Sequence, residues 1–349
     1  DKGICNACRS VEKKNRIDWK NQYKKLEEIA KNAKEKDTPF YDCIVPVSGG
    51  KNSWFQAYVA SERLGLKTLC VVLAAHIPTT EGIHNLNTMV EDLNVDLVKV
   101  TLKPSVYKKI RKKNFLKQAE PNWAEHNCVF SSVLNVALLY SVPLVIWGED
   151  IAFEFGGAQN EESTASAINI NENDLIGGKT VKDWLDDDIS SRDIFFYEYP
   201  KHESLKEKNI KSIYLGHFIK WDGREQFNFV RKRGFVSRKE GPLSGNYIDY
   251  DNIDEKLCEI NIWLKYIKFG FWRPTDQTCY DIWNGKLQRK EAVNIVKRLQ
   301  DQFPAEYFED FLRFHNITED DFWATVENFR NHDIWEKSNN TWSLKNKVS

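Results

Sequence analysis

The stretch Val47-Ser48-Gly49-Gly50-Lys51-Asn52-Ser53 constrains this chain more than any other. An apolar run of strand type, Tyr41 to Val47, leads into it, and a helical pattern from Trp54 to Leu64, closed by Gly65, follows. A Ser-Gly-Gly loop therefore joins a buried strand to a helix start. Two glycines permit positive φ and close backbone approach. The free amides of the first helical turn and the aligned peptide dipoles favour an anion there. Lys51 adds a cation, and Ser48 and Ser53 add hydroxyl donors. The plainer alternative is a tight turn with no ligand. A Walker loop is excluded, because the G-x-x-x-x-G-K-S/T spacing is absent.

Four more runs read as buried strands: Leu66–Ala74, Asp96–Thr101, Pro143–Gly148 and Ile210–Gly216. Helical stretches at Gly82–Leu93, Pro104–Glu120 and from the polar, aromatic connection Pro121–Cys128 to about Tyr140 alternate with them. This alternation predicts an α/β fold, a parallel twisted sheet with helices on both faces. Ligands of such sheets lie beyond the carboxyl ends of the strands. That rule places Ser48–Ser53, the loop after Ala74 and the loop after Trp147 on one rim. Glu149 and Asp150 then lie near the glycine loop, to hold Mg²⁺ or orient a substrate, or else to cap a helix. His217, Lys220, Trp221, Asp222 and Arg224 follow the fifth strand on the same rim.

Three segments are expected. Residues 1–36 carry a Cys-x-x-Cys start and a helix capped by Asp18 and ended by Asp37-Thr38-Pro39. Residues 37–250 form the sheet domain, with a polar insertion at 155–209 that reads as an excursion or a lid. Phe155-Gly156-Gly157-Ala158 opens that insertion, its polar tract runs from Glu161 to Asp193, and Gly177-Gly178 lies in the middle. Residues 251–349 are helical, with a polar tail from Trp335. Within them Lys265 to Gln277 mixes aromatics with Lys268, Arg273 and Asp276, a combination that suits an anionic sugar.

The net charge of −1 argues against nucleic acid as a partner. The basic run Lys108 to Lys113 reads as a solvated helix face. The longest apolar stretch, Val129 to Trp147, is broken by three serines, Asn135 and Pro143, so no membrane span is expected. Seven cysteines without a disulfide framework suggest a reducing compartment, the cytoplasm. Cys5-x-x-Cys8 is half a zinc site by spacing, with two unligated thiols as the alternative. Because the chain begins at Asp1 without Met, a preceding pair is expected upstream.

The loop resembles the SGGxDS signature of the PP-loop ATP pyrophosphatases. That resemblance implies ATP held by its pyrophosphate part and split to AMP and pyrophosphate. Asn52 stands where the superfamily has Asp, so the Mg²⁺ there loses a charged oxygen. Either another acid supplies the charge, the residue was changed to trap a complex, or activity is impaired.

Longer stretches are similar to the N-acetyl sugar amidotransferase family, in particular its lipopolysaccharide O-antigen members. They are Gly3 to Cys8, Tyr41 to Lys51, Pro143 to Glu149, and Lys265 to Asp276 with Asp281-Ile282. The resemblance implies conversion of an acetamido to an acetamidino group on a nucleotide-activated sugar such as a UDP-diacetamido uronic acid. By this resemblance Ser48, Gly49, Gly50, Lys51 and Ser53 bind ATP, and Lys51, Asn52 and Glu149 are catalytic. His126, Arg273 and Asp276 meet the sugar, and Cys5 and Cys8 bind Zn²⁺. No cysteine has the glycine flanks of an elbow glutaminase, and Asp1 is not an N-terminal Cys. Ammonia is therefore expected from a separate glutaminase or free in solution, and the resemblance implies a glutaminase and channel pair as its source. Two rival readings remain: sulfur transfer to tRNA with Cys128 as carrier, and a catalytically weak nucleotide-binding scaffold.

Overall fold

The structure, a computed structural model, describes residues 3–36, 38, 40–156, 165–170, 177 and 179–349. Asp1, the helix stop at Asp37 and Pro39, the opening of the insertion at Gly157, Ala158 and Glu161, and Gly178 lie outside the described residues. The strands are β1 (Cys43–Pro46), β2 (Thr68–Leu73), β3 (Asp96–Val100), β4 (Leu144–Trp147), β5 (Lys211–Tyr214), β6 (Trp335–Ser338) and β7 (Thr341–Leu344). The first seven helices are α1 (Asn6–Lys14), α2 (Trp19–Lys34), α3 (Lys51–Tyr58), α4 (Thr80–Leu93), α5 (Pro104–Gln118), α6 (Trp123–Tyr140) and α7 (Ile151–Phe155). Then come α8 (His202–Glu207), α9 (Gly223–Arg231), α10 (Cys258–Phe269), α11 (Arg273–Trp283), α12 (Arg289–Leu299), α13 (Phe308–His315) and α14 (Glu319–Phe329).

β1 to β5 make one parallel sheet in the order β3-β2-β1-β4-β5. Successive strand residues point to opposite faces, and both faces are covered. Cys43 and Val45 of β1 join a core with Leu26 of α2, Trp54 of α3 and Met89 of α4. Ile44 joins the opposite core with Val133, Leu134 and Ala137 of α6. The chain winds outward from β1 to β3, then returns to place β4 on the other side of β1. The loop after β1 thus lies at the switch point, where an open sheet leaves a crevice.

A third core unites α5 and α6 with α10, α13 and α14. Val181, Trp184, Ile189, Ile194 and Tyr197 of the insertion are buried in it. This corrects the lid expectation for that part, since burial of five apolar side chains holds it down. The basic run of α5 is solvent-exposed at Lys108 and Lys109, whereas Arg111 is buried. Lys103, Lys109 and Lys113 pair with Asp193, Asp188 and Asp186 of the same segment. Earlier in the insertion, Ala165 to Ala167 add to the edge of β5, the Ala167 amide donating to the Ser212 carbonyl at 2.8 Å.

The tail also departs from expectation. β6 and β7 form an antiparallel hairpin. Asn339 and Asn340 at its tip have φ of 50° and 61°, the backbone that a two-residue primed turn demands and asparagine tolerates. Trp335 anchors it, its ring 5.0 Å from that of Tyr266. Among the described residues no helix is long and apolar enough to cross a membrane.

His315 is buried in the third core, its ring 4.1 Å from Phe311 and its Nδ1 2.8 Å from the Phe311 carbonyl. Burial pushes its pKa down to about 3. The unfolded chain therefore binds the extra proton first, and stability falls as pH drops from the ordinary histidine range toward 3. The expected result is a thermal midpoint that declines over this window and a shallower decline in His315→Leu. An unchanged slope in the variant would refute the assignment.

Candidate functional site

Gly50 caps α3 with φ −83° and ψ 160°, so the chain turns straight from β1 into the helix. Gly49 has φ +99°, and a Cβ there would lie 2.6 Å from the Gly82 carbonyl oxygen. Both facts require glycine at position 49. The loop's own hydroxyls hold its shape. The Ser48 amide donates to Ser53 Oγ at 3.2 Å, the Gly50 amide to Ser48 Oγ at 3.2 Å, and Ser53 Oγ to the Gly50 carbonyl at 3.0 Å.

Lys51 is buried and ion-paired to Asp251, with its ammonium 5.3 Å from the Tyr250 ring centre. Burial would raise the Asp251 carboxyl, but Lys51 and Arg273 hold it below the usual carboxylate value. Asn52 Nδ2 donates to Glu149 Oε1 at 3.3 Å. Burial pushes the Glu149 carboxyl up, and Lys51 and Asn52 pull it back only in part. Asp150 serves the architecture of the rim, since it caps α7 through the Ala152 amide at 3.0 Å and meets His217 Nε2 at 2.9 Å.

These groups open onto one cavity of about 710 Å³. Ser48, Gly50, Lys51, Asn52, Ser53, Glu149, His126, Arg273 and Asp276 all line it, while Gly49 lies behind the loop against Gly82. One arm, beyond β2, is apolar, walled by Leu73, Ala74, Val129 and Phe130. Another wall is α11, which presents Arg273, Asp276, Gln277, Tyr280 and Asp281. Their spacing is one helical stripe. Asp276 grips Lys265 at 2.8 and 2.9 Å, and Arg273 Nε lies 3.7 Å from Glu259. Arg224 donates through Nε to Asp281 at 3.0 Å. Burial lowers the His126 pKa, and its Nδ1 is buried without a hydrogen bond.

Asp251, Asp254, Tyr250 and Gln277 are the residues that sequence reasoning missed. The visible signal of the first three is the acid-rich run Asp249-Tyr250-Asp251-Asn252-Ile253-Asp254, which reads as a loop and nothing more, while Gln277 only ends the aromatic stretch from Lys265.

Two metals were expected. For Mg²⁺ the oxygen donors fit. Asn52 Oδ1 is buried without a partner, and the Glu149 carboxylate stands beside the same side chain. Two protein oxygens completed by phosphate oxygens is the usual arrangement for this ion. For Zn²⁺ the described residues supply only half a site. Cys5 and Cys8 adjoin at the start of α1, where the Cys8 amide lowers the Cys5 thiol and burial raises that of Cys8. Among the described residues no group of three or more His, Cys, Asp or Glu side chains is placed to hold a metal. Cys128 is fully buried, and burial drives its thiol well above the ordinary value.

Fold and site together define an open α/β sheet protein with a glycine loop at its switch point and a second polar wall from its C-terminal helices. Residues 244–349 match the family described as LPS biosynthesis protein WbpG-like, C-terminal domain. No curated protein matches the chain. Among solved structures it is similar to NMN synthetase from Francisella tularensis, with 13% identity, 88% of this chain and 96% of that one covered, and a TM-score of 0.39. It is similar to NH3-dependent NAD synthetase from Campylobacter jejuni, with 12% identity, 87% and 99% covered, and a TM-score of 0.36. It is also similar to the U34-tRNA thiolase NcsA from Methanococcus maripaludis, with 13% identity, 86% and 82% covered, and a TM-score of 0.34. Likeness at these values does not identify substrate or chemistry.

Proposed function

We propose that this chain is an ATP-dependent amidotransferase of the PP-loop type. It converts an acetamido group of a nucleotide-activated sugar to an acetamidino group in surface-polysaccharide synthesis. The observation that carries this reading is one cavity shared by the glycine loop and α11, a helix within the WbpG-like region.

An amide carbonyl is a poor electrophile for ammonia. Its oxygen attacks the α-phosphorus of ATP, pyrophosphate leaves, and the carbon becomes an adenylated imidate. Ammonia adds to that carbon, a proton is lost, and AMP departs with the original oxygen. The loop amides and Lys51 cradle the β- and γ-phosphates. Asn52 Oδ1 and Glu149 would hold Mg²⁺, which supplies charge compensation on the pyrophosphate. The apolar arm beyond β2 suits a purine, and the α11 stripe, with Arg273 and Asp276, suits the sugar. Alignment of two substrates away from water does the rest.

Nitrogen comes from a separate glutaminase, delivered through a channel partner. The cytoplasm is the compartment that the seven scattered cysteines of the sequence suggest. The sulfur-transfer reading needs a reactive cysteine, and the burial of Cys128 argues against it.

The test incubates the protein with ATP, Mg²⁺, ammonium and UDP-diacetamido uronic acids. The expected product is lighter by about one mass unit, from exchange of O for NH, with pyrophosphate released in step. Glutamine alone should not replace ammonium. Pyrophosphate release that responds to RNA and not to sugar would favour the thiolase. Asn52→Asp bears on the scaffold reading. Restoring the carboxylate should lower the Mg²⁺ concentration for half-maximal release by about tenfold. Silence of both proteins with every acetamido sugar would favour the scaffold.

A further inference from the structure

Lys51 is the cation of the glycine loop, yet its side chain is tied to the C-terminal region. Its partner Asp251 is 200 residues away in sequence. The other carboxylate oxygen of Asp251 accepts from Gln277 Nε2 at 3.4 Å. Gln277 lies in the middle of α11 and clamps the loop that carries Asp251. Its Oε1 accepts from the Tyr247 and Ile248 amides at 2.7 and 3.3 Å, and its Nε2 donates to Asn246 Oδ1 at 3.1 Å.

The backbone at Asp251 is pinned separately. Arg238 donates to the carbonyls of Asp251 and Asn252 at 2.7 and 2.6 Å. What is left to adjust is the Asp251 carboxylate and the helix that holds it. Gly223 leaves room for the lysine stem, since a Cβ there would lie 3.3 Å from Lys51 Cε. One turn before Gln277 stands Arg273, which lines the cavity and whose buried Nε makes no hydrogen bond, its ion-pair partner Glu259 standing 3.7 Å away.

We propose that Asp251 is a positioning residue that couples the phosphate-loop lysine to the second-substrate wall. Through Gln277 and Asp251, the seat of α11 sets where the Lys51 ammonium stands, so events at that wall are felt at the phosphates. By reciprocity, filling the phosphate site alters the affinity of the wall for its ligand by the same factor. This rests on the reading that the loop takes the polyphosphate of ATP.

The test titrates inorganic pyrophosphate with Mg²⁺ into the wild type, Lys51→Ala, Asp251→Asn, Gln277→Leu and the Asp251→Asn/Gln277→Leu double variant. Steady-state turnover is read in parallel. Asp251→Asn removes a negative charge beside the anion site but leaves Lys51 unaimed. It should bind pyrophosphate about tenfold more tightly and turn over about tenfold more slowly, with Asp251→Glu restoring part of the rate. A merely structural role would weaken both.

Gln277→Leu should shift pyrophosphate affinity about fivefold in the wild-type background and not at all in Asp251→Asn. Equal shifts in both backgrounds, or none in either, would overturn the coupling. Gln277→Met, which adds no charge, gives the same comparison if the leucine variant misfolds. Should the wild type fail to bind pyrophosphate, or Lys51→Ala bind it equally well, the nucleotide reading falls and the coupling with it.

Discussion

Lys51→Ala is expected to lower pyrophosphate release by about 10²- to 10³-fold, the usual cost of removing one aimed donor from a developing anion. Two effects add here. The phosphates lose a cation, and the buried Asp251 carboxylate loses its partner. Breaking such a pair while leaving one charge behind costs roughly 3–5 kcal/mol of stability. The pH dependence follows in sign. Burial opposes ionisation of Asp251, and Lys51 with Arg273 overcomes it, so the folded carboxyl is more acidic than the free one. Its contribution to stability is present above the ordinary carboxylate value and is lost as pH falls through the lowered folded one. Without Lys51 that acid-limb contribution should shrink. Chemical denaturation from acid to neutral pH, beside a pyrophosphate-release assay, measures both. Activity within tenfold of the wild type would remove Lys51 from the mechanism.

Gly82→Ala is expected to cost about 10²-fold in activity, through displacement and not through chemistry. Gly82 stands in the first turn of α4, between two loops of the site. A Cβ on it would lie 2.5 Å from the Asp254 Cα, a backbone atom that cannot swing away. Its carbonyl already crowds Gly49. The added methyl must push the acid-bearing loop off the glycine loop, and with it Asp251 off Lys51. Overpacking of this kind destabilises by about 1–3 kcal/mol. Gly241→Ala is the contrast. It has φ +87° but open space around the missing Cβ, so about 1 kcal/mol of backbone strain with unchanged turnover is expected. If both alanine variants keep full activity, close apposition of the two loops is not needed for the reaction.

The glycine loop, the five parallel strands and most of the long helices were legible in the sequence because their signals are local. β1 and β2 are continuous apolar runs, and the turn between β1 and α3 is written in adjacent glycines. The elements that were missed have weaker signals. α1 is a short basic helix between Cys5 and Asp18. α9 follows a loop-like Trp-Asp-Gly, and its start is marked only by the Asp222 side chain accepting from the Arg224 and Glu225 amides. In the tail, the Asn339-Asn340 tip sits in a stretch whose polar composition hides the hairpin.

The site divides along the same line. The turn at Ser48 to Ser53 needed only its neighbours to be legible, because two glycines between an apolar run and a helical pattern mark a strand-to-helix turn locally. Glu149 reached Asn52 only because β4 returns beside β1, a matter of strand order. Asp251 and Gln277 are ordinary polar residues by local context. The pairing of Asp251 with Lys51, and of Gln277 with Asp251, depends on long-range docking that depends in turn on a missing side chain at Gly82. Local periodicity and turn chemistry decided which elements form. Which carboxylates face the glycine loop was left to packing between distant segments, because a charge carries no address until burial and a partner give it one.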